Sequence, residues 1–296
     1  MSTSQKISPL KTFIYTLFAL VAFAANSVLC RLALGEHTID AASFTAVRLL
    51  SGVVILLLIL KLSARKEKVS AKGSWVSALM LFLYAIAFSF AYVSLDTGTG
   101  ALVLFSAVQI TIILISLFSG NRPHITEWVG MLVAFGGFVY LVLPGVTTPS
   151  FLGFCLMTVA GVAWGIYTLR GKSSAFPLGD TAFNFARTIP LVIILALVAT
   201  QILQVSPQGV FLAILSGAVA SGIGYTVWYI ALGGLSATEA AVVQLSVPVI
   251  AATGGVVFVA EIITQRLVYA AVLILGGILM VVLGRYYFPR SGVIRG

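Results

Sequence analysis

Charged side chains are scarce in this chain of 296 residues, and their scarcity excludes most classes of protein. Asp, Glu, Lys and Arg together make up 8% of the sequence, against roughly 25% in soluble globular domains. Hydrophobic residues make up 60%, and the mean hydropathy is +1.13. A soluble enzyme, a nucleic-acid-binding protein and a disordered chain cannot have this composition, because the charges are too few to cover a surface in water. The composition predicts a protein whose solvent is lipid.

Side chains suited to catalysis or metal binding are equally few. The two histidines, His37 and His124, lie in predicted loops, and the two cysteines, Cys30 and Cys155, lie inside apolar runs. Such cysteines fit packing better than a disulfide or a metal site. All eight acidic residues fall in loops or within about one turn of a predicted helix end. We therefore predict no enzymatic activity, no cofactor and no metal site, and we favour facilitated transport or exchange over proton coupling.

Long apolar segments fill most of the sequence. A membrane-spanning helix needs about 20 mostly apolar residues, and charges, prolines and glycines divide the chain into ten such segments. This pattern predicts an all-α polytopic membrane protein with ten transmembrane helices. The predicted spans are about 12–31, 41–60, 73–95, 98–119, 126–143, 150–170, 181–203, 209–232, 237–260 and 266–285.

The positive charges predict the orientation of these spans. Of the 17 Lys and Arg residues, only Arg31 and Arg266 fall in the loops of one side, and Arg48 and Arg187 lie within spans. The other 13 lie on the opposite side, and cytoplasmic loops carry such an excess. The net charge of +9 therefore indicates membrane topology and not a nucleic-acid partner. Both termini are predicted to be cytoplasmic.

The two halves of the sequence resemble each other. Arg31 and Arg170, Phe44 and Phe183, and Arg48 and Arg187 are each 139 residues apart, and Gln109 and Gln244 have similar neighbours. The pattern divides the chain into repeats 1–145 and 146–296. Five spans per repeat is an odd number, so the second repeat must enter the membrane inverted. Inverted repeats around a central cavity are typical of alternating-access transporters.

Several motifs of the second half resemble a known family. They are the stretch from Gly224 to Leu232, the Val247-Pro248-Val249 segment, Glu261, and the pair Gly276-Gly277. These residues resemble the EamA-type repeat of the drug/metabolite transporter superfamily, and the layout is most similar to the YddG-type amino acid exporters of bacteria. In the first half, Asn121 takes the place of Glu261 and no proline matches Pro248.

The resemblance implies a fold and a function. It implies a protein of the bacterial inner membrane whose helices surround a central cavity, with the fifth and tenth spans packed at one side. It also implies export of small metabolites, often amino acids. Partners would be that small-molecule substrate and the lipid bilayer, with no nucleic acid, and the protein would be a monomer or weak homodimer. A passive channel, or a drug or other-metabolite carrier of the same superfamily, remains an alternative.

Neutral polar and aromatic side chains lie at mid-depth of the predicted spans. A buried amide in lipid must face a partner or water, and aromatic faces suit an apolar side chain or an ammonium. Packing between helices, including a direct bond between Gln109 and Gln244, is the competing explanation. The predicted substrate-binding residues are Asn26, Tyr84, Phe88, Gln109, Trp164, Tyr225 and Gln244.

Two arginines lie inside predicted spans. Arg48 and Arg187 could bind a substrate carboxylate, but the repeat places them at opposite faces of the membrane. Each lies within about 10 Å of its helix end, so its side chain can extend to the interface. We therefore expect structural roles for both.

Overall fold

The computed structural model describes residues 8–62, 73–118, 124–143, 149–172, 174, 176–199, 203–235 and 237–287. These residues are helical, apart from short turns and an isolated β-bridge between Ile39 and Val205. The first six helices are α1 (Pro9–Gly35), α2 (Ala41–Leu62), α3 (Trp75–Tyr92), α4 (Thr97–Phe118), α5 (Ile125–Val142) and α6 (Phe151–Lys172). The others are α7 (Pro177–Arg187), α8 (Ile189–Val198), α9 (Pro207–Ile214), a π-helical segment (Leu215–Ile223), α10 (Gly224–Leu232), α11 (Ala237–Gln244), α12 (Val247–Val259) and α13 (Gln265–Tyr287).

These helices form ten segments that are long and apolar enough to span a membrane, which confirms the predicted fold class. Helices α1 to α6 are one span each, and α13 is the tenth. The seventh span joins α7 and α8, the eighth joins α9, the π-helical segment and α10, and the ninth joins α11 and α12. The seventh span ends at Val198, about five residues before the predicted end.

Polar side chains fix where several spans begin. Ser8, Ser74 and Ser206 each accept a hydrogen bond from a backbone N–H of the first turn of α1, α3 and α9. His124 and Glu127 form a reciprocal capping box at the start of α5. These bonds satisfy N–H groups that a helix leaves free at its N-terminus, so the breaks in the apolar pattern become helix starts.

The packing of the spans follows the two repeats. Helix α5 packs along α13, and α4 packs against α12. Helix α1 packs against the eighth and ninth spans, and α6 packs against their counterparts in the first repeat, α3 and α4. A Cβ atom at Gly277 would lie 2.5 Å from the carbonyl oxygen of Gly130, so α5 and α13 approach closely, as small residues permit in lipid. The fifth and tenth spans therefore form the side pair that the resemblance implied.

The bundle has two ends, which we name by their arginines. At the Arg31 end, α1, α3 and α12 finish and α4 begins; at the Arg170 end, α6 finishes and α3 and α7 begin. Arg170 donates hydrogen bonds to Ser74 and Ser77 at the latter end. Asn121 lies outside the described residues.

Candidate functional site

Aromatic side chains meet in the middle of the bundle. Tyr84 is the tenth of the 18 residues of α3, roughly 12–14 Å from either end of that helix. The centroid of its ring lies 4.9 Å from that of Trp164 and 5.4 Å from that of Phe88. Trp164 lies 4.7 Å from Tyr225, and Tyr225 lies 5.9 Å from Phe23. We name Phe23, Tyr84, Phe88, Trp164 and Tyr225 the aromatic cluster.

The aromatic cluster leaves almost no free space. Its members surround a void of about 10 Å³, which Asn26, Leu104 and Phe105 also border. Asn26 donates a hydrogen bond of 3.1 Å from Nδ2 to the hydroxyl of Tyr84, and the hydroxyl of Ser216 donates to Oδ1 of Asn26. The cluster is thus a closed layer at mid-depth with a polar edge.

The π-helical segment supplies part of that edge. It carries Ser216 and the adjacent Gly217, where a Cβ atom would lie 2.0 Å from the carbonyl oxygen of Arg48. Such contact is possible only without a side chain, so Gly217 lets the segment lie directly on α2. π-Helical turns occur frequently at functional sites, and this one faces Asn26 and Arg48.

The structure corrects the prediction for Arg48. Its side chain is 1% exposed and does not extend to the end of α2. Instead, Nη2 donates a hydrogen bond of 2.8 Å to the hydroxyl of Tyr84. The guanidinium carbon lies 5.1 Å from the ring centroid of Tyr84 and 4.8 Å from that of Phe88. The guanidinium therefore points towards mid-depth, because its partners lie near the middle of α3.

Arg187 lies at the break between α7 and α8, within the seventh span. It is the last residue of α7, and its guanidinium carbon lies 5.8 Å from the ring centroid of Trp75, the first residue of α3. Trp75 begins α3 at the Arg170 end, so the guanidinium of Arg187 reaches towards that end of the bundle.

A larger cavity separates the aromatic cluster from the Arg170 end. This cavity, which we name the vestibule, has a volume of about 430 Å³. Gln109, Gln244 and Trp228 line it, and it extends to Gly171 and Gly233 at the ends of α6 and α10. Nε2 of Gln109 donates a hydrogen bond of 3.4 Å to Oε1 of Gln244. The ring of Trp228 lies 5.7 Å from that of Phe23, so the vestibule adjoins the cluster.

The opposite side of the cluster is closed by charged groups. Nε of Arg31 lies 3.2 Å from Oε1 of Glu261, and Nη1 donates to the carbonyl oxygen of Tyr92. The carboxylate of Glu261 accepts hydrogen bonds from both the backbone N–H and the hydroxyl of Thr97. Asp96, which is 60% exposed, adds an ion pair of 3.6 Å with Arg31. These contacts join the ends of α1, α3 and α12 to the start of α4.

The predicted site residues therefore fall into two neighbouring groups. Asn26, Tyr84, Phe88, Trp164 and Tyr225 border the mid-depth void, whereas Gln109 and Gln244 line the vestibule. The predicted site residues did not include Phe23, Ser216, Trp228 or Arg48, which the structure places beside them. Phe23 lies three residues before Asn26 on α1, a spacing that places both on one helix face, so that signal was available.

The chemical groups at the site are suited to binding a small molecule. Hydroxyl, amide and guanidinium groups and aromatic faces meet at mid-depth. The carboxylates that the structure describes lie just before, just after or in the first turn of a helix: Glu36, Asp40, Asp96, Glu127, Asp180, Glu239 and Glu261. In the described part of the chain, no three His, Cys, Asp or Glu side chains come together as metal ligands. The arrangement can hold a small molecule that has polar and apolar parts.

Comparison with known proteins agrees with this architecture. The sequence profile of the EamA-like transporter family matches residues 10–143 and 151–283. Protein PA1977 of Pseudomonas aeruginosa, described as uncharacterized, is 46% identical over 275 residues, which cover 93% of this chain and 96% of that protein. The uncharacterized transporter YoaV of Bacillus subtilis is 26% identical over 83% of this chain and 88% of its own length.

At least one solved structure shares the fold. It is described only as a crystal structure of a protein, and it covers 93% of this chain and 99% of its own, with a TM-score of 0.59 and 18% identity. This likeness concerns the fold alone.

Proposed function

Because the chain belongs to the EamA-like transporter family, we propose that it exports small metabolites, above all amino acids with aromatic or other neutral side chains. The observation that carries this proposal is the aromatic cluster with its polar edge at mid-depth, reached from one end through the vestibule. A zwitterion cannot enter hydrocarbon without polar partners, and the edge of the cluster offers them. The rings suit an apolar side chain.

The same geometry favours a carrier over a passive channel. The void inside the aromatic cluster is about 10 Å³, close to the space of one water molecule, and Arg31 and Glu261 close the far end. An amino acid can pass only if the rings part and the two ends open in turn, which is alternating access. With both termini in the cytoplasm, the vestibule faces the cytoplasm, where an exported substrate enters.

The positions of the acids support a facilitative mechanism. Proton-coupled carriers usually hold a titratable side chain within the membrane. The described carboxylates lie at helix ends, and Glu239, which precedes the vestibule residue Ala240, is in the first turn of α11. We therefore propose transport driven by the substrate gradient or by exchange. The likeness to YddG-type exporters of amino acids supports the direction and the substrate class.

The experiment is counterflow in proteoliposomes. Purified protein is reconstituted with a high internal concentration of unlabelled phenylalanine, leucine or glutamine, and entry of the radiolabelled compound is followed, with protein-free liposomes as the control. We expect saturable counterflow that persists when an ionophore collapses the proton gradient. Conductance without saturation would favour the channel, and saturable transport of drugs alone would favour another carrier of the superfamily. Strict dependence on an imposed pH gradient would contradict the facilitative mechanism.

A further inference from the structure

Arg48 holds a buried positive charge that no described side chain pairs. The side chain is 1% exposed, and Nη1 has no hydrogen-bond partner among the residues that the structure describes. Nη2 donates a hydrogen bond to the hydroxyl of Tyr84. The ion pairs within the described residues are those of Arg31 with Asp96 and Glu261, so no described carboxylate pairs with Arg48.

A buried guanidinium without a counter-charge is unusual. Taking a charge out of water is costly, and buried arginines are almost always paired with an anion. In membrane proteins, such residues face the interior and mark substrate pathways. The contacts that Arg48 does make, with the faces of Tyr84 and Phe88, compensate only part of this cost. The free Nη1 therefore indicates an anionic group that is bound during part of the transport cycle.

The position of Arg48 identifies where that anion binds. Both rings that its guanidinium covers border the mid-depth void, and the hydroxyl of Tyr84 links it to Asn26 on the opposite edge. Backbone contact between Gly217 and Arg48 fixes this part of α2 against the π-helical segment. An anion beside Nη1 would therefore lie at mid-depth, next to the aromatic cluster.

We propose that Arg48 binds the carboxylate of the substrate. This inference rests on the proposed function and narrows it, because it requires that every good substrate carries a carboxylate. Nη1 donates to a carboxylate oxygen, and the aromatic cluster covers the remainder of the molecule. Since the void holds about 10 Å³, the rings must move apart before the carboxylate enters. A compound with an ammonium but no carboxylate is repelled, although aromatic faces alone would attract it.

The first experiment varies the substrate and leaves the protein unchanged. Unlabelled phenylalanine, 3-phenylpropionate, phenethylamine and phenylalaninamide compete with counterflow of radiolabelled phenylalanine. We expect the two carboxylates to compete at least tenfold better than the amine and the amide. Equal competition by the amide or the amine overturns the role of Arg48 while leaving amino acid transport intact. Absence of counterflow for any amino acid overturns the proposed function, and the inference with it.

The second experiment changes the residue. Arg48→Gln should abolish the preference for phenylalanine over phenylalaninamide, Arg48→Lys should keep part of it, and the matched control Arg187→Gln should keep all of it. The preference is a ratio, so it does not depend on the amount of folded protein. If Arg48→Gln does not fold, the proposal is still tested by Arg48→Lys and by the competition experiment on the wild-type protein. The proposal is overturned if Arg48→Gln keeps the preference for phenylalanine over phenylalaninamide. It is also overturned if sulfate and 3-phenylpropionate protect the wild-type protein equally from thermal unfolding.

Discussion

At the scale of single residues, Tyr84 connects the polar and aromatic parts of the candidate site. Its hydroxyl accepts hydrogen bonds from Asn26 and from Arg48, while its ring contacts Phe88 and Trp164. The hydroxyl of Tyr84 therefore lies beside the guanidinium of Arg48 and joins it to the amide of Asn26.

Trp164 provides the first residue-scale prediction. Its ring contacts Tyr84, Tyr167 and Tyr225, so Trp164→Ala removes the aromatic surface that would cover a substrate side chain. We expect transport to weaken about tenfold, which corresponds to about 1.4 kcal/mol, in the counterflow assay. Trp164→Phe should recover most of the loss, since it restores a ring.

The control is Trp128→Ala, because Trp128 is 51% exposed on α5 and should face lipid. It should transport as the wild-type protein does. Normal transport by Trp164→Ala would show that Trp164 is a packing residue, as would a loss that appears only together with a lower thermal unfolding temperature.

The sequence predicted residue types better than residue roles. Asn26, Tyr84 and Gln109 could be placed at mid-depth because their helices were clear, and a buried amide in lipid needs a polar neighbour. Arg48 could not be assigned in this way. Arg48 lies seven residues from the start of α2, where its guanidinium can either reach the membrane interface or turn towards the middle of the bundle. The packing of α3 and the π-helical segment determines which of these two orientations it takes.

At the scale of elements, the π-helical segment Leu215–Ile223 is where the eighth span departs from a regular helix. A Cβ atom at Gly217 would lie 2.0 Å from the carbonyl oxygen of Arg48 and 2.1 Å from the hydroxyl of Ser51. Gly217→Ala must therefore push the segment away from α2. We expect a cost of about 1–3 kcal/mol, as for overpacked cores, measured as a lower thermal unfolding temperature in detergent.

A matched glycine tests whether this cost comes from the contact. Gly276 lies in α13, and a Cβ atom there would meet nothing within 4 Å. Gly276→Ala should unfold at or above the wild-type temperature, since alanine favours a helix more than glycine does. Equal destabilisation by both substitutions would mean that the close approach of the π-helical segment is unimportant.

The places of the spans followed from the sequence, whereas the π-helical segment did not. Apolar length and polar caps such as Ser74 and Ser206 determine where a helix starts and stops. The turn at Thr188 precedes Pro190 in the first turn of α8, a residue that interrupts helices, whereas the π-helical segment lies against α2 at Gly217. The close contact of Gly217 with α2 depends on how the two helices pack. A contact of this kind produces no hydrophobic periodicity from which the sequence could predict it.

At the scale of the whole molecule, the charge pattern predicts how the bundle lies in the membrane. The loop at 61–73 and both termini should be cytoplasmic, and the loop near residue 147 should be external. Single cysteines replacing Ser70 and Thr147, both outside the described residues, test this in a Cys30→Ala, Cys155→Ala background. In intact cells, a membrane-impermeant thiol reagent should label the cysteine at 147 and spare the one at 70. Labelling of both would contradict the topology and the inversion of the repeats.

The contacts at the Arg31 end predict which groups hold the molecule closed on that side. Arg31 and Glu261 are 20% and 12% exposed, so their ion pair is less screened than a surface pair. Glu261 follows Ala260, whose φ of 56° ends α12 in the left-handed conformation. That turn lets the carboxylate reach both Arg31 and the start of α4.

Removing the charge of Glu261 should therefore favour the state that is open at the Arg31 end. In Glu261→Gln, the amide keeps its size but loses the ion pair, and a loss of about 1.4 kcal/mol would raise the open-to-closed ratio tenfold. Ser27, one turn before Arg31 on α1 and fully buried, becomes the reporter as Ser27→Cys in the cysteine-free background. Its labelling rate from outside should rise about tenfold. Asp96→Asn is the control, since Asp96 is 60% exposed and its contact with Arg31 is 3.6 Å, and it should change the rate less than twofold. An unchanged rate in Glu261→Gln would mean that the apolar packing of α1, α3 and α12 closes this end by itself.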